Sequence, residues 1–154
     1  MYKRQYLRDI CGREEGAPPP VDLTEERENG TVVRMLIADS LVTAAHDLSD
    51  GGLLVALAEM AMASGIGARL DAAPDDTPAH AYWFGEDQAR YLVTVREADV
   101  ETVMKRAKAA SVLMQPIGVT GGAALAIEGE RAVDVAALNA RFEGFLPSYM
   151  AGTN

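Results

Sequence analysis

From Leu53 to Ala63 the chain carries a single charged side chain, Glu59, and is otherwise leucine, valine, alanine and methionine. Residues that favour helix at nearly every position predict a helix here, bounded by Gly51-Gly52 before it and Ser64-Gly65 after it. A helix apolar on almost every side is stable in water only when other elements are packed around it. The 154 residues allow that, because a chain of this size hides roughly 70% of its unfolded surface on folding. With 49% apolar and 24% charged residues the composition is that of a globular chain and excludes disorder or a fibre. The longest unbroken apolar run, Leu53 to Ala58, falls far short of the roughly 20 residues that cross a bilayer.

The elements around that helix alternate. A helix begins at Asp22 or Thr24, either of which can cap it, with Glu25, Glu26 and Glu28 complementing its N-terminal dipole. Val32, Val33, Leu36 and Ile37 give it an apolar stripe, and Gly30 weakens it. Leu41 to Ala45 suits a buried strand, broken by His46 to Gly52. Ile66, Ala68 and Leu70 alternate with polar neighbours as a half-exposed strand, and Ala72 to Thr77 reads as a loop. Arg90 to Val95 predicts a strand, Ala98 to Ala109 an amphipathic helix, and Val112 to Val119 a strand at an edge or bulge because of Pro116. Gly121-Gly122 marks a turn, Ala123–Ile127 and Ala132–Val135 a hairpin across Glu128-Gly129-Glu130, and a last helix runs from Ala136 to about Gly144, before Pro147. Four helices and five or six strands, interleaved but with a hairpin, predict an α+β fold with a mixed β-sheet packed with helices. Ala17-Pro18-Pro19-Pro20 is extended by its prolines. Residues 1–21 therefore read as a linker from a missing preceding domain, with 1–5 a foreign start, and 22–154 as a single α+β domain.

The charge balance narrows the function. Fourteen Lys and Arg against 23 Asp and Glu give a net charge of −9, which repels a nucleic-acid backbone. No basic-then-apolar signal opens the chain and the single cysteine, Cys11, forms no internal disulfide, so a reducing cytoplasm and no membrane are expected. There is no GxxxxGK[ST] or GxGxxG loop, and His46 and His80 lack the companions of a zinc site. Asp47 to Gly51 resembles a calcium loop but places Gly51 and Ala58 where acid ligands are required. No catalytic residue and no metal ligand is assigned.

Two segments carry candidate chemistry. His46, Asp47, Ser49 and Asp50 lie between a buried strand and a buried helix, followed by Gly51 and Gly52. Those glycines permit a tight turn that exposes amide groups at a helix start, a natural anion site, and the aspartates suit a phosphate accompanied by Mg²⁺. The plainer alternative is that Ser49 or Asp50 caps the helix and the glycines only make the turn. In Trp83 to Arg90, a glycine turn delivers Glu86, Gln88 and Arg90 at alternate positions, hence on one face of an extended segment. Such a face grips a ligand or a partner domain, or is simply the solvated side of a strand entrance.

Together these residues resemble a known family. Ala17-Pro18-Pro19-Pro20-Val21-Asp22-Leu23, Leu41 through His46-Asp47-Leu48-Ser49-Asp50-Gly51-Gly52-Leu53, Ala56 to Ala61 and Gly85 to Tyr91 are similar, in that order, to the closing domain of phosphoribosylformylglycinamidine synthase. The likeness spans roughly Tyr6 to Met150, and the fold it implies is that of the C-terminal domain of aminoimidazole ribonucleotide synthetase. It implies an ATP-dependent ligase of purine biosynthesis. Phosphorylation of the formamide oxygen of formylglycinamide ribonucleotide gives an iminophosphate, which ammonia from a glutaminase subunit or domain then attacks. ATP or ADP and Mg belong to the intact enzyme, with none certain for this chain alone. The implied partners are a preceding ATP-binding barrel domain and the glutaminase. The principal catalytic histidines, a nucleotide-binding lysine and most magnesium ligands lie in parts absent here, so the chain is expected to be inactive alone. Glu86-Asp87-Gln88 resembles the Glu-Ser-Gln with which the sister domain of the first half holds substrate, with Asp in place of Ser. His46 to Gly52 takes the place of a glycine-rich turn near the working site. The resemblance thus implies a nucleotide- or phosphate-binding or interface role for His46, Asp47, Ser49, Asp50, Gly51, Gly52, Glu86, Gln88 and Arg90. Two alternatives stay open: the terminal domain of an aminoimidazole ribonucleotide or selenophosphate synthetase, and a non-enzymatic binding or scaffold domain of the same fold.

Overall fold

The carboxylate of Asp22 accepts the amides of Thr24 and Glu25 at 2.8 and 3.1 Å, satisfying donors that the first turn of a helix leaves free. Helix α1 follows over Leu23–Ala38 in the computed structural model, which describes residues 6–13 and 21–152. The proline run and Met1 to Gln5 lie outside the described residues. Tyr6–Ile10 form one π-helical turn, where no element was expected. Val32, Val33 and Leu36 are buried as the stripe predicts, whereas Ile37 is exposed. Gly30 sits inside the helix without ending it.

The described residues divide into two compact units, one drawn from positions 1–57 and 73–116 and the other from 58–72 and 117–154. In the first, Val32, Leu36 and Val103 form a core against which Leu41, Val42, Val95, Val112 and Met114 pack. Strand β1 is Ala44–Asp47, not Leu41 to Ala45. Its partner is β3, Tyr91–Thr94, antiparallel with Ala44 opposite Thr94 and Asp47 opposite Tyr91. This register carries His46 and Asp47 into the strand and leaves Leu41 and Val42 to fill the core instead. Helix α2 covers Gly52–Ser64. Leu53, Ala56, Leu57 and Ala61 are buried and Val55 and Glu59 exposed, so one face meets solvent despite its apolar sequence. An unexpected six-residue helix, α3, spans Ala79–Phe84 and buries Trp83. A 3₁₀ turn at Glu97–Asp99 leads into α4, Val100–Ala109, which buries Val103 and Ala107.

The second unit holds a four-stranded mixed sheet whose strands, in order across it, are β4 (Gly118–Thr120), β2 (Ala68–Leu70), β5 (Ala124–Ile127) and β6 (Val133–Asp134). Strand β2, Ala68–Leu70, pairs antiparallel with β4, Gly118–Thr120, and parallel with β5, Ala124–Ile127. Its Ala68 and Leu70 are buried and Arg69 exposed, as alternation predicts. Ile66, read as part of the same strand, lies outside it and is exposed. The expected hairpin is present, with β6 at Val133–Asp134 antiparallel to β5. The strand read at Val112 to Val119 is confined to its end, because Val112 and Met114 are drawn onto the core of the first unit. Helix α5 does not stop near Gly144 but covers Val135–Met150, with Pro147 inside it. The Pro147 carbonyl still accepts the amide of Ala151 at 3.0 Å, and the rings of Phe145 and Tyr149, straddling the proline, stack with centroids 6.2 Å apart. The described residues thus contain five α-helices and six strands in an α+β arrangement with a mixed sheet, one helix more than the sequence predicts.

Candidate functional site

The β1–β3 ladder brings the two candidate segments together at one end, within the first unit. Beyond the last ladder pair the Leu48 amide donates to the Arg90 carbonyl at 2.9 Å. The Gly51 amide, at the start of α2, donates to Glu86 Oε1 at 3.0 Å. Gly52 then passes so close to the end of α3 that a Cβ there would lie 2.7 Å from the Gly85 oxygen, and its φ of +70° favours glycine. Gly52 is required by this close approach as well as by the turn, whereas Gly51, at φ +83°, is fixed by its backbone conformation and by the Val55 side chain beside it.

Around these ties lies an open concavity of about 850 Å³, lined by His46, Asp47, Ser49 and Asp50 from one segment and Glu86, Gln88 and Arg90 from the other. Gly51 and Gly52 do not line it; their contribution is backbone geometry. The face expected of Glu86, Gln88 and Arg90 is not an extended one. Gln88-Ala89 form a turn with Ala89 at φ +63°, which breaks the alternation. Asn29 Nδ2 holds that turn on α1 by donating to the Ala89 carbonyl at 2.9 Å.

His46 Nδ1 is 2.6 Å from the Asp47 carbonyl oxygen. A carbonyl only accepts, so the ring proton sits on Nδ1 and Nε2 is left as acceptor in the neutral ring. Arg90 Nη1 lies 3.8 Å from Asp87 Oδ2, and it is buried without a hydrogen-bond partner among the described residues. Tyr91 donates its hydroxyl to Glu26 Oε1 at 2.9 Å. That bond, with burial and the charges of Glu26 and Asp47, raises the hydroxyl pKa above its ordinary value. Glu26, Asp87 and Tyr91 also line the concavity and were missed as site residues. Glu26 reads in sequence as a helix-dipole acid and Tyr91 as a strand residue, and only the tertiary pairing of α1 with β3 shows otherwise.

Five carboxylates, of Glu26, Asp47, Asp50, Glu86 and Asp87, face Arg90 and His46. The helix-start amide that suits an external anion is bonded to Glu86, so this chain's own carboxylate occupies it, and neither Ser49 nor Asp50 caps that amide. No group of three or more His, Cys, Asp or Glu side chains is placed to hold a metal among the described residues. Among the described residues the hollow is negatively charged, with Arg90 in it.

Against known proteins, a family described as AIR synthase related protein, C-terminal domain, matches residues 5–128, and the chain belongs to that family. It is 62% identical over 149 residues to the phosphoribosylformylglycinamidine synthase subunit PurL of Rhodopseudomonas palustris strain BisA53, covering 97% of this chain and 20% of the relative. It is 66% identical over 147 residues to that of Bradyrhizobium sp. strain ORS 278, covering 96% and 20%. The chain therefore spans about a fifth of the length of these curated relatives. Among solved structures, Thermotoga maritima PurL complexed with FGAR superposes with a TM-score of 0.72 at 17% identity, over 88% of this chain and 24% of that one. The same protein complexed with ATP gives 0.62 at 18% identity, over 73% and 21%. These likenesses place the fold. No described helix is long and apolar enough to cross a membrane.

Proposed function

We propose that the chain works as the C-terminal domain of the synthetase subunit of phosphoribosylformylglycinamidine synthase. In that role it takes part in the ATP- and glutamine-dependent conversion of formylglycinamide ribonucleotide to the amidine. The observation that carries this is identity above 60% to PurL subunits over nearly the whole chain. On this reading residues 1–21 connect the domain to a preceding ATP-binding barrel, the ammonia comes from a glutaminase, and the chain is inactive alone. Nucleotide and Mg²⁺ are held chiefly by residues elsewhere in the longer polypeptide.

Within the same reading, the hollow lined by His46, Asp47, Ser49, Asp50, Glu86, Gln88 and Arg90 is a contact surface for the neighbouring domain. Its excess of carboxylates supports an interface with positive groups over direct phosphate binding. Gly51 and Gly52 hold that surface in shape.

The test is a chimera in which this chain replaces the corresponding segment of the Bradyrhizobium subunit. Growth of a purine auxotroph lacking the subunit is the expected result. A soluble, folded chimera that does not restore growth refutes the assignment.

A further inference from the structure

Helix α5 presents an exposed apolar face. Phe142, Phe145, Leu146, Tyr149 and Met150 are 60% to 79% exposed. With half-buried Leu138 they recur at i, i+4, i+7, i+8, i+11 and i+12, the spacing of one continuous helical stripe. The helix is anchored to its own unit at its first turn, where Val135 is buried and Asp134 accepts the Ala137 amide at 2.9 Å. Beyond Leu138 every residue to Met150 is exposed except Ser148. A helix of 16 residues that contains Gly144 and Pro147 is a poor candidate to persist in water without packing, because most helical stability in proteins comes from a covered apolar face.

The family match ends at residue 128, before α5 begins. The match to the Rhodopseudomonas palustris subunit takes in 149 of the 154 residues and so includes nearly all of α5. The helix is thus an addition to the common domain that this chain shares with the synthetase subunits, and four-fifths of those subunits lies outside this chain. We infer that the α5 stripe docks on an apolar surface of the remainder of the synthetase polypeptide and fastens this domain to it. This rests on the assignment proposed above.

The experiment is amide hydrogen exchange over Val135–Met150 in the chimeric Bradyrhizobium subunit and in the 154-residue chain by itself at low concentration. The chimera should slow exchange along α5 by about a hundredfold or more relative to the isolated chain. Phe142→Asp with Phe145→Asp should abolish that protection, while Ala140→Asp, on the opposite side of the helix, should not. Fast exchange of α5 in an active chimera overturns the docking and leaves the assignment standing. Protection already present in the isolated chain also overturns it, a concentration-dependent rise pointing to a second copy and a constant level to cover by the chain itself. A folded chimera with α5 protected but no amidine formed keeps the docking and removes the assignment.

Discussion

Replacing Gly52 by alanine separates two costs that usually come together. At φ +70° a side chain costs about 1–2 kcal/mol in any left-handed position. A Cβ at Gly52 would in addition lie 2.7 Å from the Gly85 oxygen and the Phe84 carbonyl carbon, both backbone atoms that move only if the turn carrying Glu86 moves. Overpacking of that kind adds about 1–3 kcal/mol. Gly65, at φ +69° with nothing within 4 Å of where its Cβ would sit, is the matched control that bears only the first cost. Reduced freedom of the unfolded chain returns about 0.4–1 kcal/mol to both variants. Gly52→Ala should therefore lose about 1–4.5 kcal/mol and Gly65→Ala about 1.5 kcal/mol or less. Urea unfolding followed by circular dichroism reads this directly, as a midpoint about 0.5–2 M lower for Gly52→Ala at an m-value of about 2 kcal/mol/M. Equal midpoints for the two variants would refute the close approach of α2 to the α3 terminus.

Three further outcomes follow from the same geometry. Glu86→Ala, which strips the acceptor from the Gly51 amide, should cost about 1 kcal/mol and speed exchange of that amide, while Glu86→Gln retains an acceptor and costs less. Tyr91→Phe removes the bond to Glu26 and should cost about 0.5–1 kcal/mol at pH 7 in urea unfolding. Because the hydroxyl pKa is raised in the folded chain, that contribution is complete below the unfolded value of about 10 and disappears as pH rises through the folded one. Wild type and Tyr91→Phe should therefore converge at strongly alkaline pH. Asp134→Ala, which uncaps the Ala137 amide, should cost about 1 kcal/mol and lower helix content measured by circular dichroism at 222 nm.

Local signals were legible wherever a side chain acts on its own neighbourhood. Asp22 announces α1, alternation around Arg69 announces β2, and Glu128-Gly129-Glu130 announces the β5–β6 hairpin. What escaped was decided by distant partners. The register of β1 against β3 moved His46 and Asp47 into a strand, and the core claimed Leu41, Val42, Val112 and Met114 from strands they were expected to form. Both candidate segments were visible, but not that the carboxylate of Glu86 would occupy the helix start the glycines prepare. That depends on a contact across 35 residues of sequence. Nor does periodicity reveal that Pro147 is carried inside α5, since a proline normally marks a boundary.

Whether this chain serves as the C-terminal domain of the synthetase subunit is read from the rate at which the purified Bradyrhizobium chimera turns formylglycinamide ribonucleotide, ATP and ammonia into the amidine. The expected rate lies within about tenfold of the unaltered subunit, a difference of no more than about 1.4 kcal/mol in the barrier. A well-folded chimera that forms no amidine above background would contradict it.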